Sequence, residues 1–198
     1  MSNSELLKKI RDEVWDGEHL PLYSERIRNG VYPVLGEGSH EAKIMFIGEA
    51  PGRNEALQGR PFCGAAGKVL DELLLSAGIL RASVYITNIV KDRPPQNRDP
   101  LPEEISAYGP FLDRQIEIIK PAVIATLGRF SMRYIMEKFG LADYVTSISQ
   151  MHGKQFNAET SFGKLIIIPL YHPAVAVYDA GTKEVLKKDF EVLQEFSV

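Results

Sequence analysis

Four short apolar runs are the feature of this sequence that most constrains its fold. They span residues 43–48, 84–88, 122–127 and 165–170, and each is bounded by glycine, proline or polar residues. All four are rich in β-branched residues, as expected of buried strands. Helices are predicted between and after the strands, because apolar residues recur at helical spacing over residues 65–77, 102–119, 130–139 and 182–196.

This alternation of strands and helices predicts the fold class. Near-continuous apolar strands that alternate with helices are typical of a parallel sheet covered on both faces. We therefore expect an α/β protein, a three-layer α/β/α sandwich with a central four-stranded parallel sheet. A length of 198 residues suits one domain. We expect a single domain over residues 1–198, with residues 1–35 as an N-terminal helical extension packed on it.

The composition is that of an ordinary globular protein, with 44% apolar and 25% charged residues. No apolar stretch approaches the roughly 20 residues that span a bilayer, and the N-terminal residues lack an apolar signal-peptide core. The single cysteine, Cys63, cannot form an internal disulfide. We therefore expect a cytoplasmic monomer without a membrane partner. A net charge of -3 disfavours nucleic acid as a partner, although the distribution of charge matters more than its sum.

Polar side chains follow three of the four predicted strands. Glu49 follows the first strand, Asn88 ends the second, and His172 comes shortly after the fourth. Ligands of such sheets bind at the carboxyl ends of the strands, so we expect these side chains to form one site. The sequence lacks a complete phosphate-binding loop, a serine nucleophile elbow and a cluster with metal-ligand spacing. We therefore predict a site without a metal.

Four motifs carry a resemblance to a known family. They are Gly-Glu-Ala-Pro-Gly at residues 48–52, Gly-Arg-Pro-Phe at 59–62, Tyr-Ile-Thr-Asn-Ile-Val-Lys with Arg-Pro-Pro at 85–95, and His-Pro at 172–173. In order and spacing they resemble the family 4 uracil-DNA glycosylases, over about residues 36–189. The resemblance implies a monofunctional N-glycosyl hydrolase that flips uracil out of DNA, hydrolyses its N-glycosidic bond and so initiates base excision repair. Uracil-containing DNA is then the expected partner.

Two other functions stay open at this point. The protein could excise another deaminated base, such as hypoxanthine or xanthine, because a carboxamide does not exclude a permissive pocket. It could also be a catalytically silent DNA-binding module of the same fold. The presence of Glu49, Asn88 and His172 together argues against the silent module.

The sequence departs from the family at the ligands of its iron–sulfur cluster. Family 4 enzymes hold a four-iron, four-sulfur cluster on four cysteines, and the matching positions here are Gly17, Leu20, Asp92 and Tyr108. We therefore predict that the cluster is absent and that the protein has no cofactor. Tyr108 is expected to fill the vacated volume, and Asp92 to pair with an arginine or to accept backbone amides.

The resemblance also implies which residues bind the base. Asn88 can accept from uracil N3–H and donate to O4, a pattern that cytosine inverts; alternatively, it caps the turn after the strand. Phe62 offers a flat surface for a flipped base, or it is a core residue. The backbone N–H of Ala50 would contact the base, and Glu55 would border uracil C5 and refuse the thymine methyl group.

Two residues are the predicted catalytic groups. His172 would donate a hydrogen bond to uracil O2 and stabilise the departing anion, as an oxyanion hole does. Glu49 would orient the attacking water and stabilise positive charge on the sugar, as carboxylates do in glycoside hydrolysis. The alternatives are a hydrogen-bonded structural histidine and a glutamate that satisfies loop amides.

The remaining predictions concern contacts with the DNA strand. Four basic residues near these loops could bind phosphates, although each could equally be a solvated loop residue. They are Lys91, Arg93, Arg98 and Lys154. The segment from Val175 to Tyr178 could wedge into the gap left by the flipped base, or it could be the packed start of the last helix.

Overall fold

A computed structural model describes residues 1–196 and contains a six-stranded sheet. The strands are β1 (Glu37–Gly38), β2 (Ile44–Gly48), β3 (Tyr85–Asn88), β4 (Val123–Leu127), β5 (Phe156–Thr160) and β6 (Gly163–Leu170). Their spatial order is β1-β3-β2-β4-β6-β5. The inner strands β3, β2, β4 and β6 are parallel, whereas β1 and β5 pair antiparallel at the two edges.

The predicted α/β class and the four parallel strands are confirmed, but the sheet has six strands rather than four. The two missed strands lie at the edges, where burial is incomplete and an apolar run is not required. β1 is only two residues long and half-buried. In β5 only Ala158 is buried, so the segment reads as polar.

Eight helices accompany the sheet within the described residues. They are α1 (Asn3–Trp15), α2 (Tyr23–Asn29), α3 (Arg53–Gln58), α4 (Ala65–Ser76), α5 (Pro102–Ile119), α6 (Arg129–Lys138), α7 (Ile148–Met151) and α8 (Ala180–Glu191). The predicted helix over residues 182–196 ends at residue 191, and a 3-10 turn over residues 194–196 follows it. Within residues 1–196, no helix has the length and apolarity needed to cross a membrane.

Alternate residues of the strands pack against helices on opposite faces, which confirms the three layers. Phe46 of β2 packs in a core with α4 and α8, whereas its neighbours Met45 and Ile47 pack in a core with α1, α5 and α6. Because side chains alternate along a strand, one apolar run supplies both cores. The N-terminal helix α1 joins the second core through Leu7 and Ile10.

Helix α5 has a stabilised start and buries Tyr108 and Gln115. Pro102 occupies its first turn, and Glu104 accepts a hydrogen bond from the backbone N–H of Leu101 at 2.8 Å. Both features stabilise a helix start. The helix then buries Tyr108 and Gln115 on the side that faces the N-terminal segment and β3.

Candidate active site

A cleft of about 680 Å³ lies at the carboxyl ends of the parallel strands. All six residues that the sequence predicts to contact the base or the sugar line it, namely Glu49, Ala50, Glu55, Phe62, Asn88 and His172. They come from the ends of β2, β3 and β6, from α3 and from the loop that follows it. This is the edge of the sheet where parallel α/β proteins bind ligands.

Gly48 allows two of these residues to approach each other. It pairs with Asn88 in the register of β2 and β3. A Cβ atom at residue 48 would lie 2.3 Å from Asn88 Oδ1 and 2.9 Å from Phe62 Cζ. Because Gly48 has no side chain, the Asn88 carboxamide and the Phe62 ring can both lie close to the end of β2.

The carboxamide of Asn88 is available to a ligand. The residue is only 2% exposed, yet it lines the cleft. Its side chain makes no hydrogen bond with another of residues 1–196, so it does not cap the following turn. Because no protein group binds the carboxamide where it lines the cleft, its donor and acceptor are free to pair with complementary atoms of a ligand.

Phe62 is held rigidly at the floor of the cleft. Its backbone has a φ of 48°, in the left-handed region that a bulky residue rarely adopts. The chain passes so close to α4 that a Cβ at Gly67 would lie 1.8 Å from the Phe62 carbonyl oxygen. The ring centroid is 5.6 Å from that of His172. Strain of this kind is typical of functional sites.

The hydrogen bonding of His172 fixes its tautomer. The backbone N–H of Ala174 donates to His172 Nδ1 at 3.2 Å, so Nδ1 is an acceptor and the ring proton lies on Nε2. Burial lowers the pKa of this imidazole to about 4. The ring is therefore neutral near pH 7 and presents one N–H donor.

The Glu49 carboxyl group has a pKa near neutral pH. Burial raises the pKa of this carboxyl to about 7, with the negative charge of Asp99 acting in the same direction and Arg129 in the opposite one. A carboxyl group poised near neutral pH is suited to proton transfer and to holding a water molecule.

Glu55 and Ala50 also reach the cleft. The backbone N–H of Gly64, the N-cap of α4, donates to Glu55 Oε1 at 3.4 Å. Glu55 thus stands at the positive end of that helix, which favours a carboxylate. Ala50 is half-buried beside Glu49.

Sequence reasoning missed several residues at this site. Arg53, Asn97 and Asp99 line the cleft, and Arg129 donates to Asp99 Oδ2 at 2.5 Å. Arg53 is exposed and forms no ion pair with another residue of the described chain. The sequence carries a signal for Arg129, because this residue comes directly after Gly128 at the end of the parallel strand β4.

The predicted phosphate contact of Lys91 is wrong. Its side chain is fully buried and its Nζ is bonded within the protein, so it cannot reach a DNA backbone. Arg93 donates to Asn97 Oδ1 at 2.7 Å, and Arg98 forms two hydrogen bonds with buried Glu104. These two arginines therefore brace the loop after β3.

The other predicted DNA contacts lie at the surface. Lys154 is exposed. Val175 is 48% exposed and Tyr178 is 98% exposed, in the turn after His172. Tyr178 is thus not packed into the protein as the start of a helix would be, and the wedge role stays a prediction.

The four positions that match the family's cluster ligands do not fit an iron–sulfur cluster. Asp92 and Tyr108 are fully buried, and the Tyr108 hydroxyl donates to Asp92 Oδ2 at 2.6 Å. Arg26 Nη1 donates to both Asp92 oxygens at 3.1 and 3.3 Å. A Cβ at Gly17 would lie 2.6 Å from Leu20 Cδ1. These four residues offer no thiolate, and Asp92 and Tyr108 are bonded to each other.

We call Arg26, Asp92 and Tyr108 the polar clamp. Arg26 also donates to the backbone oxygens of Val14 and Trp15, so the clamp joins the end of α1 to the loop after β3 and to α5. This is the arrangement expected for Asp92 and Tyr108 from the sequence. Burial raises the pKa of Asp92, whereas the Tyr108 hydroxyl and the Arg26 guanidinium lower it.

The sandwich and its cleft define an α/β protein with a carboxylate, an open carboxamide and a neutral imidazole at one edge of its sheet. Comparison with known proteins identifies the family. The sequence profile of the uracil DNA glycosylase superfamily matches residues 35–194. The chain therefore belongs to the uracil DNA glycosylase superfamily.

Individual relatives match most of the chain. The chain is 44% identical over 193 residues to the type-4 uracil-DNA glycosylase of Sulfurisphaera tokodaii, covering 97% of this chain and 85% of the relative. It is 48% identical to the type-4 enzyme of Archaeoglobus fulgidus, over 82% of this chain and 80% of the relative. It is 36% identical to that of Thermotoga maritima, over 98% and 96%.

Proposed function

We propose that this protein hydrolyses the N-glycosidic bond of uracil in DNA and so initiates base excision repair. The observation that carries the proposal is the convergence of Glu49, Asn88 and His172 in one cleft. Its support is the similarity to relatives named type-4 uracil-DNA glycosylases, at 44% and 48% identity. Uracil-containing DNA is the partner, and the protein acts as a cytoplasmic monomer.

Asn88 reads the base. Its carboxamide accepts from uracil N3–H and donates to O4, and its lack of a protein partner keeps both groups free. Cytosine presents the opposite pattern and would leave buried polar groups unpaired, at a cost of about 1–3 kcal/mol each. Phe62 provides the stacking surface for the flipped base.

Two neighbours complete the base pocket. The backbone N–H of Ala50 contacts the base, and Glu55 borders C5. A carboxylate held at the start of α4 leaves little room for the methyl group of thymine.

His172 and Glu49 carry the bond cleavage. As the bond breaks, negative charge develops on uracil and positive charge on the sugar. The Nε2–H of neutral His172 donates to O2 and stabilises the anion without prior protonation. The carboxylate of Glu49 orients water toward the sugar carbon and stabilises its positive charge.

Residues at and near the surface beside the cleft position the strand. Arg93, Arg98 and Lys154 supply positive charge for phosphates. The protruding turn from Val175 to Tyr178 fills the gap in the duplex when the base leaves the stack.

The protein performs this reaction without an iron–sulfur cluster. The chemistry of the four matching positions supports this, since none carries a thiolate. The polar clamp instead ties the N-terminal segment to the loop after β3. It contains five hydrogen bonds: one from Tyr108 and two from Arg26 to the Asp92 carboxylate, and one from Arg26 to each backbone oxygen of Val14 and Trp15. None of these bonds needs a metal.

The test is a single-turnover assay on DNA that contains one uracil, in single-stranded and duplex form. Parallel substrates carry hypoxanthine or xanthine at the same position. We expect an abasic product from uracil and at least about a hundredfold slower reaction with the other bases. Faster release of hypoxanthine or xanthine would assign the enzyme to those bases. Binding without any product would indicate the silent module.

A further inference from the structure

Lys91 is the most completely buried cation of the described chain, and the reaction proposed above gives it no role. Its Nζ donates to Thr87 Oγ1 at 2.9 Å, to the backbone oxygen of Asn88 at 2.6 Å and to Gln115 Oε1 at 2.6 Å. No carboxylate is among its hydrogen-bond partners within residues 1–196. A lysine is rarely buried in this way unless its bonds matter.

The neighbours of Lys91 show that it donates all three hydrogens. The hydroxyl of Thr87 donates its single proton to the Leu35 oxygen at 2.6 Å. Its Oγ1 must therefore accept from Lys91 Nζ. The Gln115 amide nitrogen donates to the Leu35 oxygen and to Tyr85, which leaves its oxygen to face Lys91. Three acceptors match the three donors of an ammonium group.

Burial opposes this charged form. It lowers the pKa of Lys91 well below its ordinary value, while the charge of Asp113 acts in the opposite direction. The ammonium is thus held by oriented dipoles rather than by an ion pair. Such a network rigidifies its surroundings only while every member is satisfied.

The network fixes the residue whose side chain enters the cleft. Lys91 holds the backbone carbonyl of Asn88 from one side, and the register with Gly48 holds its strand position from the other. The other two hydrogen bonds of Lys91 connect it to Thr87 on β3 and to Gln115 on α5. Since no protein group binds the Asn88 carboxamide, the position of this residue depends on the contacts of its backbone.

We propose that Lys91 is a positioning residue for uracil recognition, which orients Asn88 through the buried network with Thr87 and Gln115. This inference rests on the proposed role of Asn88 as the reader of the base. A misplacement of about 1 Å at a recognition group is enough to lower a rate by orders of magnitude.

A double-mutant cycle tests this role. Lys91→Met keeps the apolar stem and removes the donors, and it is made in the parent chain and in Asn88→Ala. Single-turnover excision of uracil is measured for all four proteins, together with binding to uracil-free DNA. Lys8→Met, an exposed lysine on α1, is the matched control and should leave the rate unchanged.

We expect Lys91→Met to lower the excision rate about 10- to 100-fold in the parent chain, but less than about threefold in Asn88→Ala. Affinity for uracil-free DNA should be unchanged. A merely structural lysine would lower the rate by the same factor in both backgrounds, and that result, or an unchanged rate in the parent chain, overturns the proposal. If Lys91→Met does not fold, Gln115→Met removes one acceptor of the network and replaces it in the same cycle.

The cycle separates the two proposals. If Asn88→Ala alone keeps the parental rate, the reading of uracil by Asn88 is wrong, and the positioning role of Lys91 is overturned with it. If Asn88→Ala is slow but Lys91→Met acts independently of it, only the positioning role is overturned.

Discussion

Asn88 and Asp92 stand four positions apart in the chain, yet the protein treats their similar side chains in opposite ways. The Asn88 carboxamide faces the cleft and has no hydrogen-bond partner among the described residues. The Asp92 carboxylate is fully buried and accepts hydrogen bonds from Tyr108 and from Arg26. Within five residues, the end of β3 and the loop after it thus carry one polar group without a protein partner and one with several.

The difference separates recognition from stability. A polar group that the protein leaves unpaired lowers the stability of the free protein, and a ligand that pairs with it regains that free energy. A saturated group stabilises the fold but has nothing left to offer a ligand. The cleft, where Phe62 also has a strained backbone, therefore serves recognition at a cost in stability. The polar clamp serves stability.

Asn88→Ala should produce the largest effect on activity. We expect uracil excision to fall by two to three orders of magnitude, as for a loss of about 3–4 kcal/mol of base-specific stabilisation. The free energy of unfolding should not fall, because the side chain has no protein partner to lose. Single-turnover kinetics and denaturant unfolding measure the two quantities. A rate near that of the parent chain would make Asn88 a structural residue.

Substitutions in the polar clamp should show the reverse pattern. Tyr108→Ala should lower the free energy of unfolding by about 3 kcal/mol or more, the usual cost of truncating a buried aromatic residue. Tyr108→Phe keeps the ring and should cost only about 1–3 kcal/mol, because the buried Asp92 carboxylate loses one of its hydrogen bonds but keeps those from Arg26. Denaturant unfolding checks both values. A large loss of excision by folded Tyr108→Phe would break the comparison.

The pH dependence should reveal Glu49. Its pKa of about 7 means that the carboxylate needed for the reaction is lost as pH falls below 7. We expect kcat/KM to drop about tenfold per pH unit below that value and to level off above it. His172, with a pKa of about 4, should contribute no step between pH 5 and 9. Glu49→Gln should give a low, flat profile, and a persisting step would assign it to another group.

Metal removal should have the smallest effect. Because two members of the polar clamp, Asp92 and Tyr108, stand where cluster ligands are expected and bond to each other instead, a chelator should change neither the melting temperature nor the rate of excision. The purified protein should contain no stoichiometric iron and should lack absorbance near 400 nm. Iron at one cluster per chain would contradict the proposal that packing and polar contacts replace the cluster.

The sequence predicted the elements that depend on local pattern. The four parallel strands were identifiable because each is a buried apolar run, and the polar residues at their ends followed from the rule for parallel sheets. The edge strand β5 could not be found in this way, since only Ala158 on it is buried. Asp99 and Arg129 were also missed, because their pairing joins two loops that are distant in the chain.

Chain order and residue type by themselves determined the fold class and the three strand-end groups Glu49, Asn88 and His172. Only the tertiary structure decided the environment of each group. Lys91 looks like a solvent-facing cation in a basic loop, and its burial depends on Gln115, 24 residues further along the chain. The lack of a protein partner for the Asn88 carboxamide and the hydrogen bonds of Asp92 likewise depend on residues that are distant in the chain, because burial and hydrogen bonding are properties of the packed molecule.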